Sequence, residues 1–216
     1  MRTISQVVEG IIEESPFFGE SIAEGIANNS EIARRIKPLV ERRLLESVSE
    51  SAVAMALHRL GKNFRRPEFV GNVLKGISDI TLRSSLVEFI FPNTVDIFPI
   101  VEAVSRAARR HKDSFVNFSR GLRESLIIVN KEFDREVVTA AGRKHTQRIE
   151  GLSAITMRLP PESVAMPGVY YPILKAIAWE GISFVEVMSI DTEFSILFKD
   201  ADIDRAFSIL KRITTS

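Results

Sequence analysis

Cysteine is absent from the 216 residues, so the chain has no disulfides, no thiolate metal site and no cysteine nucleophile. Histidine is nearly absent: His58, His111 and His145 are the only three, and no two stand at the spacing of paired ligands on a helix. Long apolar runs are also missing. The longest, Leu86 to Phe91, is broken by Glu88, which excludes a span across a bilayer and gives no membrane partner. Glu9, Glu13 and Glu14 spoil the first helical pattern as a secretory signal, so a cytoplasmic protein is expected. No glycine-rich phosphate loop, paired carboxylates, metal cluster or nucleophile–base set is evident, and the sequence predicts a non-enzyme without cofactors.

Net charge is only +1, but it is unevenly distributed. Residues 1–31 carry a net of −5 and residues 32–66 a net of +6. Such a switch marks either a nucleic-acid face or two solvated helix faces that attract each other.

Residues 1–62 read as a helical domain. Ile4, Val7, Val8, Ile11 and Ile12 form one apolar stripe. Pro16 opens a second helix, Asn28-Asn29 ends it, and Ser30 caps a third, which Pro38 kinks or splits. Ser47 and Glu50 fit a capping box before Val53, Ala56, Leu57 and Leu60, and Gly61 is read as the stop. Residues 63–76, with Pro67, Gly71 and Gly76, read as a connector. From residue 77 the pattern is strand, helix, strand, strand, helix, and residues 148–216 repeat it. The fold class expected is α+β: a helical domain, then two duplicated units (77–147 and 148–216) with helices packed on an antiparallel sheet.

The second unit carries the clearest motifs. They are Met166-Pro167-Gly168-Val169, Leu174 to Ile182 with Trp179-Glu180-Gly181, Phe194 to Phe198, and Asp204 to Leu210. Together they resemble an ACT domain, and the tandem ACT region of aspartate kinases most. Ser183 departs from the pattern, standing where that family usually has Asn. The resemblance implies two ferredoxin-like βαββαβ units that join as a homodimer or higher homo-oligomer. It also implies an amino-acid effector, bound by the loop Met166, Pro167, Gly168 and Val169 with Ile182, Ser183 and Phe184 opposite. Elementary chemistry agrees: glycine before a helix lets a ligand approach amides that attract a carboxylate. Such a site binds without transforming. Tyr170 and Tyr171 follow it, one expected buried and one lining the pocket, and Trp179 is expected in the core or a dimer interface.

The segment Ser47 to Leu60, after a basic helix, resembles the last two helices of a helix-turn-helix domain. That implies DNA contacts from Ser51, His58, Arg59 and Lys62 on one helix, with Met55 on the same outward face. Arg34, Arg35, Arg42, Arg43, Arg65 and Arg66 would meet phosphates. The whole reads as a sensing regulator of transcription. The alternative is a protein-interaction module that controls an amino-acid metabolic enzyme in trans.

Overall fold

The computed structural model describes residues 2–63, 74–111, 113–142 and 144–215. The chain divides into two compact units, Met1–Glu68 and Phe69–Ser216. No helix among the described residues is long and apolar enough to cross a membrane.

The first unit consists of α1 (Ile4–Glu13), α2 (Pro16–Ala23), α3 (Asn29–Leu44) and α4 (Glu50–Asn63). Its core follows the predicted stripes: Val7, Val8, Ile11 and Ile12 of α1 pack with Ile32, Ala33, Ile36 and Val40 of α3 and Val53, Ala56 and Leu57 of α4. Local signals needed correction. Asn28 caps the start of α3, its side chain accepting from the Glu31 amide at 3.2 Å, rather than ending α2. Pro38 lies within an unbroken α3, where the core contacts of Ile36 and Val40 on either side hold the helix together. The α4 cap is Ser49, which accepts from the Ala52 amide at 3.2 Å. Ser47 and the Val48 amide instead donate to Glu41 of α3. Gly61 does not end α4, which runs to Asn63.

The second unit has the order β1 (Ser78–Pro92), α5 (Phe98–Ala108), β2 (Val116–Arg120), β3 (Glu124–Asn130), α6 (Asp134–Ala141), β4 (Gln147–Arg158), α7 (Tyr171–Trp179), β5 (Glu186–Ile190), β6 (Glu193–Lys199) and α8 (Ile203–Thr215). The six strands form one antiparallel sheet in the order β2-β3-β1-β4-β6-β5. Each half is therefore βαββα, and the fourth strand of each ferredoxin-like half is supplied by the first strand of the other. The expectation of two βαββαβ units gives way to two βαββα halves sharing a central β1–β4 pair.

Alternation explains the layers. Val87, Phe89 and Phe91 of β1, with Ile127 and Val129 of β3, pack on Ile100 and Val104 of α5 and Val137 of α6. Ile155 and Met157 of β4, with Phe194, Ile196 and Phe198 of β6, pack on Ile173 and Ile177 of α7 and Ala206 and Leu210 of α8. The alternate residues Leu86, Ile128, Leu152, Ala154 and Leu197 face away from the helices, yet they too are buried. They bury one another because the sheet curls. Irregularities in the central β1–β4 pairing accompany the curl. Register shifts interrupt the β1–β4 pairing between Arg83 and Leu86 and between Leu86 and Glu88, and Ser85 and Gly151 have positive φ (59° and 70°). Bulges of this kind bend strands and raise their twist.

Candidate functional site

The loop Met166–Val169 links β4 to α7. Pro167 and Gly168 are exposed, Met166 is half-buried and Val169 is buried on the second half's core. Gly168 has φ +72°, a conformation that side chains disfavour, so the turn itself requires glycine. Its carbonyl accepts from the Tyr171 amide at 2.9 Å. Tyr170 is half-buried rather than buried: its ring stacks on Phe194 at 4.3 Å, and its hydroxyl lies 2.6 Å from Ser189 Oγ of β5. Tyr171 is exposed and lies beneath the Lys175 ammonium, 5.5 Å from its ring centre. The start of α7 is thus fastened to the sheet's β5 edge.

Ile182, Ser183 and Phe184 lie at the other end of α7. Ile182 is buried, whereas Ser183 and Phe184 are exposed. A nine-residue helix separates the two segments, which is about 13 Å of rise. One chain therefore does not bring all seven residues together. Trp179 is 72% exposed in the single chain and so is not a core residue: it is the last residue of a short helix whose buried stripe ends at Ile177.

The ten residues expected to meet DNA fall into groups. Arg43 is held by Glu14 through two hydrogen bonds of 2.6 and 3.1 Å. The hydrogen bonds from Arg43 hold the Glu14 carboxyl below its usual range. Arg34 pairs with Glu31 at 2.6 Å and lies 3.7 Å from Glu50. Arg59 donates to Ser5 Oγ at 3.2 Å. Arg35, Arg42, Ser51 and His58 are exposed, with Met55 exposed beside the α4 residues. Arg35 and Arg42 stand seven residues apart on α3, so they share a face. Lys62 belongs to α4 but its side chain is outside the described structure, as are Arg65 and Arg66 and most of the connector.

A third arrangement lies on the helix-free face of the sheet. Glu88 lies on the helix-free face of β1 and is 1% exposed. Its Oε2 has no hydrogen-bond partner. Burial first, and the charge of Glu186 second, push its carboxyl up to about 7; burial also raises Glu186. Glu186 is on β5, three strands from β1, or about 14 Å in a flat sheet. The curl is what brings their charges within range. Residues 114–117 at the start of β2 and Met188, Ile190, Glu193 and Ser195 at the other edge line one cavity of about 130 Å³. Asn117 lines it and has a buried Oδ1 without a partner. The sequence does carry a signal for Glu88, as the one charge in the apolar run Leu86–Phe91. Alternation alone would have assigned it to a solvated face. Among the described residues, no three His, Asp or Glu side chains gather as a metal site.

No family model matches the chain, and no curated protein matches it by sequence. Solved structures do match its fold. The aspartate kinase of Clostridium acetobutylicum, described as an allosteric enzyme, is 8% identical at a TM-score of 0.51, over 64% of this chain and 35% of its own. A structure of aspartokinase alpha and beta subunits is 13% identical at 0.50, over 64% and 94%. The aspartate kinase from Synechocystis is 13% identical at 0.50, over 66% and 28%. This chain thus spans about a third of the length of the Clostridium enzyme. At these identities the likeness is one of fold, and the matched share is close to that of residues 69–216, a unit whose fold is ACT-like.

Proposed function

We propose that the chain is a non-enzymatic regulator that senses a small molecule, an amino acid foremost, through its ACT-like unit. The observation that carries this reading is the paired βαββα architecture, shared with part of an enzyme described as allosteric. The positive-φ turn at Gly168 supports a ligand site at the start of α7, because it leaves backbone exposed where a ligand's carboxylate would settle. With Met166–Val169 and Ile182–Phe184 at opposite ends of α7, the site is completed by a second copy whose Ile182–Phe184 segment faces the loop. The protein acts as a homodimer or higher homo-oligomer. The helical unit is read as a helix-turn-helix-like domain that binds DNA through Arg35, Arg42, Ser51 and His58, and ligand alters the spacing of two such units.

Calorimetry and thermal shift against the twenty amino acids test the sensor. Heat and a raised Tm with one or a few of them are the expected result, and silence with all twenty removes it.

One observation favours control of a protein partner instead of DNA. Arg34 and Arg43 are engaged by glutamates within the helical unit, which withdraws two of the cations a phosphate face would use. A salt titration of DNA binding separates the two readings, because binding through several phosphates weakens steeply with salt.

A further inference from the structure

We infer that Leu74–Arg83, the segment by which the chain enters the sheet-bearing unit, is a strap docked on the root of the Gly168 loop, so that the conformations of strap and loop are coupled. The coupling stands on contacts within residues 69–216. Its regulatory meaning rests on the reading of Met166–Val169 as the effector site.

The chain between β4 and α7 is held at two ends. At the far end Tyr170 stacks on Phe194, and its hydroxyl meets Ser189. At the root stands Pro160, just after β4. The Pro160 carbonyl accepts from the Ser163 amide at 2.9 Å, and the Ser163 carbonyl accepts from the Met166 amide at 3.1 Å. Ser163 between them is buried. Two hydrogen bonds thus lead from Pro160 to the first residue of the candidate site, and a displacement of the proline reaches Met166.

The strap bears directly on that proline. Residues 74–76 are helical, and a Cβ on Gly76 would stand 2.9 Å from Pro160 Cγ and 3.1 Å from its Cβ. The Gly76 backbone is not left-handed, so close approach, rather than a turn, requires the glycine. Leu74, Ile77 and Ile80 pack on the core cluster that holds Leu159 and Val169. Thr81, Leu82 and Arg83 then pair with Thr156, Ile155 and Ala154 of β4. The pairing with β3 begins only at Leu86, so the strap supplies the outer strand of the half that carries the loop.

The strap also has a place to give way. Its pairing with β4 is irregular between Ser78 and Thr81, where Asp79 has φ +51°. The Ile77 amide bonds locally, to the Leu74 carbonyl at 3.3 Å. Leu74, Ile77 and Ile80 are half-buried rather than buried. Segments fastened so lightly open at lower free energy than the strands they join. Docked and undocked straps are two discrete arrangements, which is what coupling between distant groups requires. An effector that fixes Met166–Val169 favours the docked one. The chain passes once between the two units, and Leu74 is separated from the end of α4 at Asn63 by residues 64–73. The strap is therefore where the state of the loop meets the chain leading to the helical unit.

Amide hydrogen exchange of the full chain, followed by mass spectrometry without any effector, tests the coupling. Gly76→Val places its side chain in the Pro160 contact. Exchange across 161–171 should rise by about threefold or more, while 124–141 in the other half keeps its natural rate and circular dichroism is unchanged. Gly76→Ala, with less bulk, replaces the valine variant if that one does not fold. The reverse variant is Gly168→Asn, a change in the loop, which should speed exchange across 74–83, as reciprocity demands. Faster exchange confined to the substituted segment, in either variant, would overturn the inference. The effector reading fails separately: calorimetric silence toward amino acids removes the sensor and leaves these exchange results as they are.

Discussion

Leu86 and Leu152 are paired residues at the centre of the six-stranded sheet, and each directly follows a residue of positive φ, Ser85 and Gly151 respectively. Both leucines are buried on the face that carries no helix. The pair therefore marks where the two βαββα halves meet and where the sheet begins to curl. Cutting either side chain to alanine leaves a cavity that only strand residues could fill. Leu86→Ala and Leu152→Ala are each expected to cost about 2–5 kcal/mol. Because they touch one seam, the double variant departs from additivity, which a urea double-mutant cycle measures. Strict additivity would show that the halves do not share this packing.

Glu88 makes stability depend on pH. Its folded carboxyl titrates at about 7, raised from 4.5. A raised carboxyl favours the folded state while it is protonated. The contribution is whole below pH 4.5 and is lost as pH rises through 7, amounting to about 3 kcal/mol at most. Glu88→Gln keeps the shape and removes the titration. Unfolding free energies measured between pH 4.5 and 8 should fall for the natural chain and fall less for Glu88→Gln, which is the more stable at pH 8. Parallel profiles would refute the assignment.

Arg148 ties the first half together at the start of β4. It donates to Asp134 of α6 at 2.6 and 3.0 Å, contacts Glu150, and lies 5.6 Å from the Phe89 ring centre. The arrangement is bidentate and its side chains are about one-quarter exposed, so it outweighs an ordinary surface pair after allowance for solvent. Arg148→Ala should lower stability by about 2 kcal/mol. Arg148→Lys should recover less than half of it, because an ammonium cannot bridge both Asp134 oxygens. Chemical denaturation of the three forms checks this ordering.

Much of this architecture is legible in the residues. The stripes of α1 and α4 and the alternation at Ile155 and Met157 face the cores that periodicity assigns them. What periodicity does not reach is anything set by the path of the backbone across strands. The curl accompanies irregular β1–β4 pairing, and Ser85, at one of those irregularities, is an ordinary residue with no turn signature. Hence the burial of Leu197 and Glu88 on a face that alternation assigns to solvent could not be read in advance. Capping failed for a related reason: Ser47 and Ser49 both suit a cap, and the choice was made by Glu41, which draws the Ser47 hydroxyl and the Val48 amide toward α3. The Met166–Val169 loop was visible as a motif, but the distance from it to Ser183 is a property of α7's length.

The glycine at 168 separates strain from occlusion. Any bulky residue there suffers from the positive φ, at about 1–2 kcal/mol. Asparagine tolerates that region better and still adds a side chain. If the loop holds an effector, Gly168→Asn should abolish the ligand-induced rise in Tm while shifting the ligand-free Tm by only a few degrees. Retained ligand response in the asparagine variant would move the site away from this loop.

Arg35 and Arg42 provide the sharpest test of the helical unit's partner. They share one face of α3, whereas Arg43 is turned to Glu14 of α1. If that face meets DNA phosphates, replacing both by alanine removes two contacts, and the slope of log affinity against log salt becomes shallower by about two. Arg43→Ala then acts differently: it breaks a link between α1 and α3 and lowers the unit's Tm without the same change of slope. Fluorescence anisotropy with a mixed duplex at several salt concentrations distinguishes these outcomes. A slope unaltered by the double variant, or no binding at low salt, assigns this surface to a protein partner, since neither result is compatible with arginines that release counterions from a duplex.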